Sequence, residues 1–249
     1  MLNWQHFDLP DADVRLAQFC DADTARDWFA RLDAEIPWER HRLRLFGREI
    51  DAPRLSCWIG DADAVYRYSG RTFAPHAWTP ALIELRDHLL WQCADVFEGL
   101  HNPIPGLTAR AEPEASSDSA TTNQALSRLI RGEPSMARET SAQAQRFPYN
   151  SVLCNLYRDG RDAMGWHSDN EPELGAEPVI ASFSFGGVRK FRMRHRAHPA
   201  VRLELELPSG SLLHMGGATQ RFYRHDLPRT ARAVAPRINL TFRRINPSR

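Results

Sequence analysis

Apolar and polar positions change their period along this chain, and the change divides it. Residues 21–36 (DADTARDWFARLDAEI) carry Trp28, Phe29, Leu32 and Ile36 at helical spacing behind Asp and Thr capping candidates, which predicts a helix. Residues 40–60 alternate instead. Leu43 and Leu45 interleave with arginines, Phe46-Gly47 offers a turn, and Pro53 precedes a second apolar stretch, so the segment reads as strand, tight turn and strand. Thr79-Pro80 supplies an N-cap with proline at the first helical position, and Leu82, Leu85, Leu89 and Val96 extend a buried stripe over residues 79–97. Beyond Asn150 the pattern is one of strands: 151–157, 178–185, 189–196, 201–207, 211–215 and 237–245, separated by Gly, Pro and polar turns. In 201–207 the alternation is strict, with Val201, Leu203, Leu205 and Leu207 on one face and Arg202, Glu204 and Glu206 on the other. Helices followed by many short strands predict a mainly β fold with flanking helices, a β-sandwich or jelly roll.

Residues 109–145 break the pattern. Their only large apolar side chains are Leu126, Leu129, Ile130 and Met136, and no aromatic occurs. Such a stretch buries too little surface to offset its ordering entropy, so a mobile insertion is expected over about 98–146.

Composition narrows the partner class. No run of about 18 apolar residues is present, so no membrane helix is expected. The start, MLNWQHFDLPDADVR, has neither the basic leader nor the apolar core of a secretory signal. Cys20, Cys57, Cys93 and Cys154 are far apart, with no C-x-x-C pair, which argues against a disulfide framework or a cysteine zinc site and fits a reducing cytoplasm. Net charge is only +1, yet residues 186–249 hold 14 Lys and Arg against 3 Asp and Glu. That segment is +11, leaving −10 for the rest of a +1 chain. A polyanionic partner such as nucleic acid would suit it, as would charge spread evenly round a barrel.

Candidate chemistry lies in the strand-rich half. In WHSDNE, His167 and Asp169 stand two apart, and on a strand residues i and i+2 project to one side. Alone the pattern is weak, and His6-Phe7-Asp8 repeats it without context. A second histidine after several strands, His225 in RFYRHDLPR, completes two imidazoles and a carboxylate, the facial set that leaves iron positions open for cosubstrate and oxygen. His214 in SLLHM competes for that place. His225 is preferred because it follows a long turn, whereas His214 sits mid-strand. Zinc hydrolysis is the other chemistry of such a set. The last strand argues against zinc: period two puts Arg237, Asn239, Thr241 and Arg243 on one face and Ile238, Leu240 and Phe242 on the other. Two inward arginines are costly unless an anion meets them, and their planar forks suit a small dicarboxylate.

Taken together, NSVLCNLYRDGRDAMGWHSDNEPELG, PVIASFSFGGVRKFRMRHR and PRINLTFR resemble the AlkB family of oxidative nucleic-acid demethylases over about 38–96 and 147–247. The resemblance implies a double-stranded β-helix, a jelly-roll form. It implies one catalytic domain over 1–249, with N-terminal helices and a substrate lid in 1–97 and the core in 147–249. His167, Asp169 and His225 would hold iron(II), and Asn155, Tyr157, Arg237, Asn239 and Arg243 would bind 2-oxoglutarate. Tyr66 and Tyr68 would stack a flipped base, Glu171 would read it, and Phe46 between Arg44 and Arg48 would wedge into duplex DNA. The implied reaction consumes O2 and 2-oxoglutarate and removes methyl groups from lesions of the 1-methyladenine and 3-methylcytosine type, in alkylated DNA or RNA. A monomer is expected. Two other readings stand beside it: an oxygenase acting on RNA or protein, and an inactive nucleic-acid-binding module. Two features depart from the family's pattern, the long insertion and Ile59 where an aromatic is usual.

Overall fold

The computed structural model describes residues 2–45, 48–68, 71–92 and 149–246. Residues 1–94 and 148–249 form one compact unit, to which those described residues belong. The expected insertion and the wedge candidate Phe46 lie outside the described residues.

Chain order runs β1 (Gln5–Phe7), β2 (Asp13–Gln18), α1 (Ala22–Glu35), β3 (Arg42–Leu45), β4 (Arg48–Asp51), β5 (Leu55–Gly60), β6 (Tyr66–Tyr68), β7 (Arg71–Phe73) and α2 (Pro80–Gln92). It continues with β8 (Ser151–Tyr157), β9 (Met164–His167), β10 (Ile180–Gly186), β11 (Arg189–His195), β12 (Arg202–Leu207) and β13 (Ser211–Gly216). A short helix α3 (Thr219–Phe222), β14 (Tyr223–Leu227) and β15 (Arg237–Arg243) complete it.

Two antiparallel sheets form the body, a jelly roll. The larger has the order β1-β2-β13-β10-β15-β8-β5 and the smaller β12-β11-β14-β9. Each expected strand of the C-terminal half is present within a residue or two, because alternation there tracks real burial: β11 reads buried at Arg189, Phe191, Met193 and His195, with Lys190 exposed between them. The core closes where the sheets face. Val14, Ile180, Leu213 and Met215 of the larger sheet pack with Phe191, Met193, Leu207 and Tyr223 of the smaller. Gly186 ends β10 at φ 89°, and a Cβ there would lie 2.3 Å from the Pro236 carbonyl, so only glycine fits this turn.

The helices buttress the larger sheet. Asp21 caps α1 by accepting from the Thr24 amide at 2.8 Å, and α1 packs on β10 with Trp28 beside Phe185. Glu35 of α1 accepts from the Ala81 amide at 2.8 Å, capping the start of α2 from outside, while Arg31 pairs with Glu84 at 2.7 Å. Residues 40–60 hold three strands where two were expected, and five strands escaped the pattern reading: β1, β2, β7, β9 and β14. Each is short or rich in polar residues, so periodicity had little to register. Among the described residues no helix is long and apolar enough to cross a membrane.

Candidate active site

Strand parity builds the site. In β15, Arg237, Asn239, Thr241 and Arg243 all line one cavity between the sheets, while Ile238, Leu240 and Phe242 are fully buried behind them. β8 pairs with β15 in the register Arg237↔Tyr157, Asn239↔Asn155 and Thr241↔Leu153, which aligns three β8 residues on the same wall. From the smaller sheet, β14 contributes His225 and β9 contributes His167, directly opposed in register. Asp169 follows just past the end of β9 and is 3% exposed.

His167, Asp169 and His225 come together with one ligand atom each within 4.8 Å of the others. The Nε2 atoms of both histidines lie 3.9 Å from Asp169 oxygens, too far for hydrogen bonds. The three donors thus gather round one point without bonding one another. His167 Nδ1 lies 2.8 Å from the Gly165 carbonyl, a contact that assigns its proton to Nδ1 and leaves Nε2 as a lone pair. Burial, then the nearness of His167, pushes His225 down to about 3, so it is a neutral imidazole at pH 7. Burial opposes ionisation of Asp169, but the Arg243 cation, with the two imidazoles beside it, outweighs burial and holds the carboxyl below its usual range. Asp169 thus presents an anion and His225 a neutral nitrogen, with His167 Nε2 turned to the same point, a donor set suited to a divalent metal. Arg243 donates to Asp169 Oδ1 at 2.7 Å, and the Asp169 amide donates to Gln220 Oε1 at 3.0 Å, so the residue is held at both its carboxylate and its backbone.

At the other end of β15, Arg237 is 1% exposed. Its Nη2 donates to Ser184 Oγ at 2.8 Å and its plane lies 5.4 Å from the Tyr157 ring. Nε and Nη1 are buried with no partner among the described residues. Burial pushes this guanidinium down to about 10, still cationic at neutral pH. A buried cation with two idle donors is what an anionic ligand relieves. Asn239 Nδ2 is spent on Ser182 Oγ and the Phe183 carbonyl, both at 2.8 Å, and Asn155 Oδ1 accepts from Arg54 Nε at 2.6 Å. Both amides are therefore fixed in orientation.

His214 lies elsewhere. It sits on β13, whose Leu213 and Met215 face the core, so parity turns His214 outward, 3.3 Å from Asp13. Contrary to the expectation from a preceding long turn, His225 is itself within a strand, β14, and what separates it from His214 is the face. Glu171 is part-buried, precedes a short 3-10 turn (Pro172–Leu174), and does not line the cavity. Tyr66 and Tyr68 fall in the β6–β7 hairpin, paired with Phe73 and Arg71. Ile59 is fully buried and away from the cavity. Arg54, Ser184, Gln220 and Phe191, whose ring lies 5.4 Å from that of His225, were not anticipated, since no short motif marks them.

A jelly roll enclosing two imidazoles, a carboxylate and an unpaired buried arginine defines a metal-dependent oxygenase site. The family model described as the 2OG-Fe(II) oxygenase superfamily matches residues 13–243. Alpha-ketoglutarate-dependent dioxygenase alkB homolog 3 of Homo sapiens is 46% identical over 239 residues, covering 92% of this chain and 64% of that protein. DNA oxidative demethylase ALKBH2 of Homo sapiens is 30% identical over 253 residues, covering 98% and 77%. The solved structure of OsALKBH1 is 15% identical with a TM-score of 0.53 over 97% of this chain, a likeness of fold. The chain belongs to the AlkB family of 2OG-Fe(II) oxygenases. It spans 60–64% of the length of the alkB homolog 3 proteins it matches. Membership implies iron(II), 2-oxoglutarate and O2.

Proposed function

We propose that this chain repairs alkylated DNA bases by oxidative demethylation, converting lesions of the 1-methyladenine and 3-methylcytosine type to normal bases and releasing formaldehyde and succinate. The observation that carries it is the joint presence, in one cavity, of the His167–Asp169–His225 donor set and the idle donors of buried Arg237. The similarity to proteins named as DNA oxidative demethylases supplies the substrate class. His167, Asp169 and His225 would hold iron(II), which when bound supplies the oxidising power for the methyl carbon, coupled to decarboxylation of 2-oxoglutarate. Arg237, a buried cation with idle donors beside the Tyr157 ring, would meet the far carboxylate of 2-oxoglutarate as its counter-charge. Asn155, Asn239 and Arg243 line the rest of the cosubstrate's wall, and Arg243 also holds Asp169 in place. Phe191 and Met215 line the cavity with apolar surface that keeps bulk water from the reacting centre.

A methylated base cannot reach this cavity from within a duplex and must be flipped out. On the family resemblance, Tyr66, Tyr68 and Glu171 receive it, and Phe46 fills the gap it leaves. Phe46→Ala should then lower activity on methylated duplex at least about tenfold while sparing single strands. The reading is tested by formaldehyde and succinate release on methylated single- and double-stranded oligonucleotides beside methylated RNA and peptide. Release from DNA lesions in equal amounts is expected; turnover of RNA or peptide alone would replace the substrate, and no turnover at all would leave an inactive module.

A further inference from the structure

The outer face of the smaller sheet carries charges that the reaction chemistry does not use. Register places Arg194 of β11 directly opposite Arg202 of β12 on one side and Arg224 of β14 on the other. Three arginines therefore stand in one row across adjacent strands, about 4.8 Å apart per step. Like charges directly opposed in a sheet are destabilising, so the row costs the fold stability unless an anion meets it. None does: among the described residues no carboxylate forms an ion pair with any of the three, two acids of this face are engaged elsewhere, and Glu206 lies opposite Lys190, two pairs along from the Arg194–Arg202 pair and beyond Glu204. Glu204, which also feels Arg202, binds Lys190 at 2.8 Å, and Asp226 binds Arg192.

Two further contacts give the row direction. The Arg194 guanidinium lies 4.1 Å over the ring of Trp166 on β9, the edge strand of the sheet. Arg196, at the end of β11, donates to Ser168 Oγ at 2.8 Å, and Ser168 sits between His167 and Asp169. Burial and the charge of Arg224 push the Arg196 guanidinium below its usual range, so these cations feel one another. The row thus crosses the sheet's outer face and ends at the edge round which the donor set lies.

We propose that Arg202, Arg194 and Arg224, with Arg196 at the end nearest the site, form a strip that binds successive phosphates of a nucleic-acid strand and leads that strand to the sheet edge. The assignment rests on the proposed action on nucleic acid, and it adds the face that grips the backbone. Guanidinium forks bind phosphate oxygens in pairs, and backbone contacts of this kind position a strand without reading its sequence.

The experiment is binding of a short undamaged single-stranded DNA by the full chain, titrated over a range of salt. Each phosphate contact adds about 0.7 to the slope of log affinity against log salt for a single strand. Arg194→Gln with Arg224→Gln should lower that slope by roughly 1.4. Arg194→Lys with Arg224→Lys keeps both charges and should keep the slope. The glutamine variant removes a like-charge repulsion together with the Arg194–Trp166 contact, so it should melt close to the parent, and its loss on methylated substrate should fall in KM. An unchanged slope in the glutamine variant overturns the strip, as does tighter binding of poly-glutamate than of DNA, which would give the face to an acidic protein segment. Parent protein that binds with the expected slope yet releases no formaldehyde keeps the strip and removes the reaction. Turnover of methylated DNA with an unaltered slope in the variant removes the strip and keeps the reaction.

Discussion

Two histidine–aspartate groupings in this molecule look alike in composition and differ in what they leave open. On the outer face of the larger sheet, His214 lies 3.3 Å from Asp13, whose carboxylate also takes two hydrogen bonds from Arg15 at 2.7 and 2.9 Å. Hydrogen bonding from His214 is the chief reason that the Asp13 carboxyl is held well below its ordinary range, against its burial. Every charge there has a partner, and the group ties β2 to β13. Between the sheets, His167, Asp169 and His225 lie at non-bonding separations, with His225 Nδ1 buried and unpartnered among the described residues. One grouping is a closed ion pair that holds strands together. The other is a set of donors arranged around a point in space, and that difference, rather than residue type, marks the site.

The largest expected effects break the open grouping. His167→Ala, Asp169→Ala and His225→Ala should each lower formaldehyde release by well over about 100-fold, since even indirect supports of a metal ligand are worth roughly 10–100-fold. Full activity in the His225 variant would mean that the third donor is elsewhere. Next comes the cosubstrate end. Arg237→Ala removes hydrogen bonds to a carboxylate worth about 1.5–3 kcal/mol. The KM for 2-oxoglutarate, read from succinate kinetics, should rise roughly 10–150-fold. An unaltered KM would remove Arg237 from the cosubstrate. Arg243→Gln sharpens the contrast from the supporting side. Iron affinity should drop roughly 10–100-fold because Asp169 loses the cation that orients it. The smallest effect on chemistry belongs to the closed pair. With His214→Ala, turnover should stay near that of the parent, while urea unfolding shows a loss of about 1–3 kcal/mol as the part-buried Asp13 loses its His214 hydrogen bond and keeps Arg15. Loss of turnover without loss of stability would reverse the comparison.

Much of this was legible along the chain, and the reasons are local. The β15 segment announces both its strand and its polar inner face, because seven residues of strict alternation leave one register that buries Ile238, Leu240 and Phe242. The α1 and α2 starts are legible from Asp21 and from Thr79-Pro80, whose hydroxyl and ring act on the nearest turn. His225 was chosen for a reason the structure does not support, since β14 and β13 are both strands and only the parity of each against the cavity tells them apart. Parity depends on how β14 pairs with β9 and β11, a contact made by residues some 30 to 60 positions away. The same holds for Arg54 on Asn155 and Gln220 on Asp169, separated by 101 and 51 residues, and for the arginine row, which no single strand displays.

The contrast between the two groupings is tested most directly by iron itself, apart from turnover. Anaerobic addition of iron(II) and 2-oxoglutarate should give a weak visible charge-transfer band in the parent protein. The band should vanish in His225→Ala and Asp169→Ala and persist in His214→Ala and Asp13→Asn. A band that survives in His225→Ala and disappears in His214→Ala would contradict the assignment of the open set.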